Sequence, residues 1–96
     1  MNEKYNIVLE TSMGDEKGVL ELNSEGEKVD GKIISKIANG SFVGGILSGS
    51  NLKFAGKIKI KLMTINYVAN CIIKGSALSG IVKTKFGDFK VTGEKV

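Results

Sequence analysis

Residues 52–61 read Leu52-Lys53-Phe54-Ala55-Gly56-Lys57-Ile58-Lys59-Ile60-Lys61, in which apolar residues or glycine alternate with lysine or alanine. Successive side chains of a β-strand point to opposite faces of the sheet. This period of two therefore predicts a strand whose Leu52, Phe54 and Ile58 face a core, while its lysines face water. The following segment, from Met63 to Ile73, alternates equally well and predicts a second strand of the same kind.

Turn sequences recur along the chain. At Gly26, Gly49 and Gly75 a glycine stands three residues before the apolar residue that opens an alternating run. A second turn, Thr11-Ser12-Met13-Gly14-Asp15, returns as Thr84-Lys85-Phe86-Gly87-Asp88. Glycine supplies the positive φ that tight turns require. The chain is thus predicted to form hairpin after hairpin, with turns at alternate ends of one sheet.

The whole chain is predicted to be all-β. The expected strands are residues 5–11, 17–23, 28–36, 41–48, 52–61, 63–73, 77–84 and 88–95. A tight turn is expected at Asn39-Gly40, a dipeptide that favours positive φ, and positive φ is expected at Gly40. Core-facing glycines inside strands allow the coiling that a small barrel needs, and they stand at Gly31, Gly56, Gly80 and Gly93. We therefore expect a single domain over residues 1–96, an antiparallel up-and-down (meander) barrel of about eight strands, which leaves no exposed sheet edge.

The turns and strand openings carry a resemblance. The alternation of Thr-x-Met/Phe-Gly-Asp turns with Gly-x-x-Leu-x-Gly/Phe strand openings resembles small microbial meander barrels of lipocalin-like (calycin-like) shape, which occur alone or appended to larger enzymes. The resemblance implies the barrel fold and suggests a ligand cavity inside it. This chain departs from the pattern because it has no Trp for the lipocalin Gly-x-Trp hallmark. It also has no Arg for the Arg-Tyr pair with which fatty-acid-binding relatives hold a carboxylate.

The residue types that are missing restrict the chemistry. The chain has no His and a single Cys, Cys71, so the usual acid–base residue, the commonest nitrogen ligand for metals and an internal disulfide are all missing. We expect no catalysis, no cofactor and no metal. We read Cys71 as a buried apolar filler, and Asp15 and Asp88 as turn residues. The chain has no apolar run long enough to span a membrane and no signal pattern, which together predict a cytoplasmic protein without a membrane partner.

Charge is segregated along the chain. Residues 1–30 carry eight acids and three lysines, whereas residues 31–87 carry nine lysines and no acid. An acidic side and a basic side are expected. The lysine ladder Lys53, Lys57, Lys59 and Lys61 is interpreted as a solvated face, with salt-dependent attraction of anions as the alternative. Nucleic acid is an unlikely partner because most of the aromatic residues are predicted to lie in the core, where no base can stack on them.

The function we favour is a non-catalytic binding module for a small apolar ligand in the barrel interior. The ligand-binding residues expected are Phe54, Tyr67, Ala69 and Thr84. A buried tyrosine needs a partner for its hydroxyl, which can be backbone, an inward threonine such as Thr84, or a ligand.

The alternative function is a structural or docking domain whose barrel is filled. The fourth strand is apolar on both faces through Phe42, Val43, Ile46 and Leu47. These four residues cannot all face inward on a regular strand, so one pair is predicted to lie outside and to form a homodimer interface.

Overall fold

The eight β-strands of the chain close into one barrel. The computed structural model describes residues 2–11, 14–60 and 62–96. The strands are β1 (Asn2–Thr11), β2 (Gly14–Glu25), β3 (Lys28–Ser35), β4 (Ala38–Ser48), β5 (Asn51–Ile60), β6 (Met63–Lys74), β7 (Ala77–Thr84) and β8 (Gly87–Lys95). Each strand pairs antiparallel with the next one in the chain, and β8 pairs with β1. This confirms the predicted antiparallel up-and-down barrel. Within the described ranges, no helix is long and apolar enough to cross a membrane.

The turns lie at two ends of the barrel. The turns at Gly26, Gly49 and Gly75, whose φ angles are 64°, 61° and 60°, share one end with the chain termini, which we call the lower end. There the Val96 amide donates to the Lys4 carbonyl at 2.9 Å. The connections from β1 to β2, β3 to β4, β5 to β6 and β7 to β8 lie at the opposite end, which we call the upper end.

The turn predicted at Asn39-Gly40 is wrong. The chain turns at residues 36–37, and both Asn39 and Gly40 belong to β4. The Ser35 hydroxyl fixes the earlier turn, because its oxygen accepts from the Ala38 amide at 3.0 Å and it donates to the Ala38 carbonyl at 3.2 Å. Gly40 does not have a positive φ; a Cβ there would collide with the Lys57 carbonyl oxygen, so this glycine lets β4 lie close to β5.

A β-bulge in β4 explains how this strand faces the core. Phe42 pairs with Gly31 and Gly45 pairs with Val29, so Val43 and Gly44 together oppose the single residue between those partners. Gly44 has a φ of 74°, the left-handed conformation that glycine adopts at this kind of bulge. The extra residue shifts the alternation of inward and outward side chains by one position. Phe42 and Leu47, five positions apart in sequence, therefore both face the interior.

The core follows the predicted alternation. Fully or almost fully buried apolar side chains come from every strand, among them Tyr5, Leu20, Val29, Phe42, Leu52, Tyr67, Leu78 and Val91. The inward glycines make room for these neighbours. A Cβ at Gly31 would collide with the Phe42 ring, and one at Gly80 with Cys71. Met63, predicted to face inward, is half exposed because it is the first residue of β6, beside the turn.

Candidate functional site

The inward apolar side chains are more deeply buried in the lower half of the barrel than in the upper half. Tyr5, Val29, Leu52 and Leu78 are at most 2% exposed and fill the lower half. Toward the upper end, apolar side chains on the same inward faces are only partly buried: Leu9, Ile33, Ile58, Ile65, Val82 and Phe89. We call these six partly exposed side chains the apolar mouth.

An aromatic layer separates the two halves. The rings of Phe42 and Phe54 are stacked, with centroids 4.1 Å apart and planes inclined by 19°. The Tyr67 ring meets Phe54 edge to face, with centroids 5.9 Å apart. Both arrangements suit the quadrupoles of aromatic rings and add to the stabilisation from burial alone. These rings form the floor of the apolar mouth.

The Tyr67 hydroxyl is the one buried side-chain oxygen or nitrogen without a hydrogen-bond partner in the part of the chain that the structure describes. The residue is only 5% exposed. Burial raises the pKa of the Tyr67 phenol from 10.0 to about 12. A buried hydroxyl that makes no hydrogen bond costs about 1–3 kcal/mol relative to one that is satisfied. The aromatic layer therefore contains a buried polar group whose hydrogen-bonding capacity the described residues do not meet.

Thr84 does not serve Tyr67, although the two residues are paired across β6 and β7. Its hydroxyl belongs to the next turn, since it donates to the Gly87 carbonyl and accepts from the Phe86 amide, each at 3.0 Å. The Thr84 hydroxyl is therefore not the hydrogen-bond partner of the Tyr67 hydroxyl. Of the four predicted ligand-binding residues, Phe54, Tyr67 and Ala69 lie together in the buried core, and Thr84 lies at the upper end.

A polar cluster at the lower end was not predicted from the sequence. The Tyr5 hydroxyl donates to Glu3 at 3.1 Å, and the Lys95 ammonium lies 3.4 Å from the same carboxylate oxygen. Desolvation, followed by the bond to Glu3 and its charge, raises the pKa of Tyr5 to about 12. The sequence contained one sign of this contact: Glu3 and Tyr5 are two positions apart, and residues two apart on a strand share a face. The two tyrosines thus differ: Tyr5 has a partner, and Tyr67 has none among the described residues.

Cys71 and the acidic residues show no arrangement for chemistry. Cys71 is a free, buried thiol whose pKa burial raises to about 11, so very little reactive thiolate forms near neutral pH. In ranges 2–11, 14–60 and 62–96 no group of three or more Cys, Asp or Glu side chains is placed to hold a metal ion.

The four predicted interface residues divide into two pairs. Val43 is 77% exposed and Ile46 is 56% exposed, and both point outward on β4. Phe42 is buried in the aromatic layer, and Leu47 packs against the core. The expected outward pair is therefore Val43 and Ile46.

The outer face of β1–β4 carries an open groove of about 800 Å³ that sequence reasoning missed. Across its floor runs a cross-strand row of outward side chains, Lys4, Glu21, Lys32 and Ser41. Charges of both signs alternate along the row, so it presents no field of a single sign to a charged ligand.

No protein-family model matches this chain, and no curated protein matches it either. The similarity to small meander barrels therefore rests on the closed eight-strand fold, which the structure supports.

Proposed function

We propose that the protein is a non-catalytic binding module that takes one small, largely apolar ligand through the apolar mouth. The ligand lies on the floor formed by Phe54 and Tyr67, beside Ala69. The supporting observation is the buried Tyr67 hydroxyl, which has no hydrogen-bond partner among the described residues. A ligand with one hydroxyl or carbonyl group satisfies this oxygen and buries its apolar part against the surrounding side chains.

The test uses phenol and benzene, two soluble apolar molecules that differ by one hydroxyl. Phenol is expected to shift the amide NMR resonances of Phe54, Tyr67 and Ala69. In the Tyr67→Phe variant the affinity for phenol is expected to fall about fivefold, the value of one hydrogen bond of about 1 kcal/mol, and the affinity for benzene to stay unchanged.

The matched control is Tyr5→Phe, which removes a phenolic hydroxyl at the lower end. It is expected to leave both affinities unchanged. Phenol shifts confined to outward residues, or equal phenol affinity for wild type and Tyr67→Phe, would overturn the proposal.

A second candidate function, docking through a homodimer, is favoured by one observation. Val43 and Ile46 expose two large aliphatic side chains beside the Gly44 bulge. Exposed neighbouring apolar side chains on a small domain are typical of an interface. Sedimentation equilibrium tests it: Val43→Lys with Ile46→Lys should shift a dimer to monomer. A matched pair at other exposed positions, Ile72→Lys with Ile81→Lys, should not. A monomeric wild type at high protein concentration excludes the dimer.

A further inference from the structure

The turns at the two ends of the barrel differ in chemistry. The lower turns consist of glycine followed by a small or acidic residue: Gly26-Glu27, Gly49-Ser50 and Gly75-Ser76. Three of the four upper connections consist instead of lysine followed by a large apolar residue: Lys36-Ile37, Lys61-Leu62 and Lys85-Phe86. Turn geometry favours glycine, asparagine and other polar residues, so it does not by itself require a large apolar residue in these connections.

The apolar residues of these turns are exposed. Leu62 is 99% exposed, Phe86 is 56% exposed and Ile37 is 44% exposed. All three lie at the same end of a closed barrel. We call Lys36, Ile37, Leu62, Lys85 and Phe86 the upper rim; Lys61 lies outside the described residues.

Two of the rim turns are stabilised by the same kind of hydrogen bond, from a backbone amide to a side-chain hydroxyl. The Ser35 hydroxyl accepts from the Ile37 amide at 3.3 Å, and the Thr84 hydroxyl accepts from the Phe86 amide at 3.0 Å. In both turns the hydroxyl residue stands two positions before the apolar residue, and its bond fixes the backbone of the turn. The backbone of these two turns is therefore ordered before a partner binds, so docking loses little backbone entropy there.

Charges of both signs lie at the upper end. Lys36 and Lys85 belong to the rim, and Lys59 and Lys83 lie outward on strands close to it. The nearby acids are Asp88, opposite Lys83 in the β7–β8 register, and Glu10, Asp15 and Glu16, which lie on β1 and β2 near that end. The rim residues themselves carry positive charge only, through Lys36 and Lys85.

We propose that the upper rim docks the protein on an anionic phospholipid bilayer, with Ile37, Leu62 and Phe86 entering the lipid interface and Lys36 and Lys85 contacting lipid phosphates. Apolar side chains flanked by lysine match both the depth profile and the charge of such a surface. A nucleic acid does not need the exposed aliphatic groups, and an apolar protein surface does not need the lysines. The sequence predicts no membrane partner because it contains no spanning segment, whereas the rim is a surface assembled from separate turns.

Vesicle co-sedimentation tests the proposal without any interior ligand. The protein is expected to bind vesicles of phosphatidylcholine mixed with phosphatidylserine, and to bind pure phosphatidylcholine vesicles much less. The triple variant Ile37→Ser, Leu62→Ser, Phe86→Ser should lower the partition constant at least tenfold. The double variant Lys36→Gln, Lys85→Gln should lower it about tenfold or more, and added salt should reduce wild-type binding toward that level.

Matched controls lie away from the rim. Val68→Ser with Ile72→Ser and Ile81→Ser removes three exposed apolar side chains from the sides of the barrel, and Lys28→Gln with Lys74→Gln removes two lysines near the lower end. Both control variants should bind vesicles like wild type. Because the chain has no Trp, Leu62→Trp introduces a single reporter whose emission should shift to the blue on anionic vesicles, whereas that of Ile72→Trp should not.

Three results would overturn the docking proposal. Equal binding by rim and control variants would show that the rim is not the contact. An unshifted Leu62→Trp emission on vesicles that bind the protein would show the same. The third result is a wild type that does not bind vesicles. If it is then retained on heparin and the rim variants are not, the rim binds a polyanion; if it self-associates and the rim variants do not, the rim binds a second copy. None of these outcomes depends on Tyr67, so the interior binding proposal is tested separately.

Discussion

Tyr67 lies opposite Gly56 on the neighbouring strand, and its hydroxyl oxygen lies 3.2 Å from the position that a Cβ at residue 56 would take. The Phe42 Cβ lies 3.1 Å from the same position. A side chain at residue 56 would therefore be tight against the Tyr67 phenol and the Phe42 Cβ, and both would have to shift by a few tenths of an ångström.

Gly56→Ala is expected to destabilise the fold by about 1–3 kcal/mol, because an added methyl group in a tightly packed core forces its neighbours to move. In the Tyr67→Phe background the cost should be smaller, since one of the close contacts has gone. Wild type, the two single variants and the double variant form a double-mutant cycle. Chemical denaturation of the four proteins measures the coupling free energy between residues 56 and 67. Additive costs would mean that the hydroxyl does not lie beside Gly56.

The two buried tyrosines should respond oppositely to loss of the hydroxyl. Tyr5→Phe breaks a hydrogen bond to Glu3 and is expected to cost about 1 kcal/mol of unfolding free energy. Tyr67→Phe removes an oxygen that has no partner among the described residues and is expected to leave stability unchanged or to raise it by up to about 1 kcal/mol. The free energy of unfolding of each variant, measured with denaturant in the absence of ligand, tests both expectations. A loss above about 1 kcal/mol for Tyr67→Phe would indicate a hydrogen-bonding guest, such as water, already in place.

Stability should fall at alkaline pH. Burial raises the pKa of Tyr5 and of Tyr67 from 10.0 to about 12, and that of Cys71 from 9.0 to about 11. Each group is neutral below its unfolded pKa, so its contribution is fully present there and is lost as pH rises through the folded value. Unfolding midpoints should thus decline between about pH 9 and 12. The measurement is the difference between the wild-type and Tyr67→Phe profiles: Tyr67→Phe should flatten the decline, and an unchanged profile would contradict the burial of this phenol.

The strand alternation was predictable where one face is buried and the other is wet. This condition holds along β5 and β6, and their inward residues, including Phe54, Tyr67 and Ala69, lie where the pattern put them. It fails in β4, where the spacing of Phe42 and Leu47 fits no regular strand. The bulge that resolves it depends on the pairing of β4 with β3, and Gly44-Gly45 is only a weak local sign of it. The hydrogen bonding of the Tyr67 hydroxyl depends on distances to other strands, which no local pattern contains.

The upper rim shows a different limit of sequence reasoning. Lys36-Ile37 and Lys85-Phe86 are far apart in the chain, and each alone resembles an ordinary turn with one apolar residue. Only the alternation of turns between two barrel ends places them on one surface. The displaced turn made this harder, because the Asn39-Gly40 dipeptide favoured a hairpin three positions later than the one that Ser35 stabilises.

The last prediction concerns the β4 bulge. No atom lies within 4 Å of a Cβ built at Gly44, so a substitution there meets no steric conflict with other residues. The cost of Gly44→Ala is then purely conformational and should be about 1–2 kcal/mol, since alanine disfavours the φ of 74°. Gly44→Asn is the matched variant and should cost less than Gly44→Ala, because asparagine tolerates left-handed backbone better than alanine does. Equilibrium unfolding measures both. If alanine and asparagine cost the same, the cost of substitution does not come from the left-handed φ at Gly44.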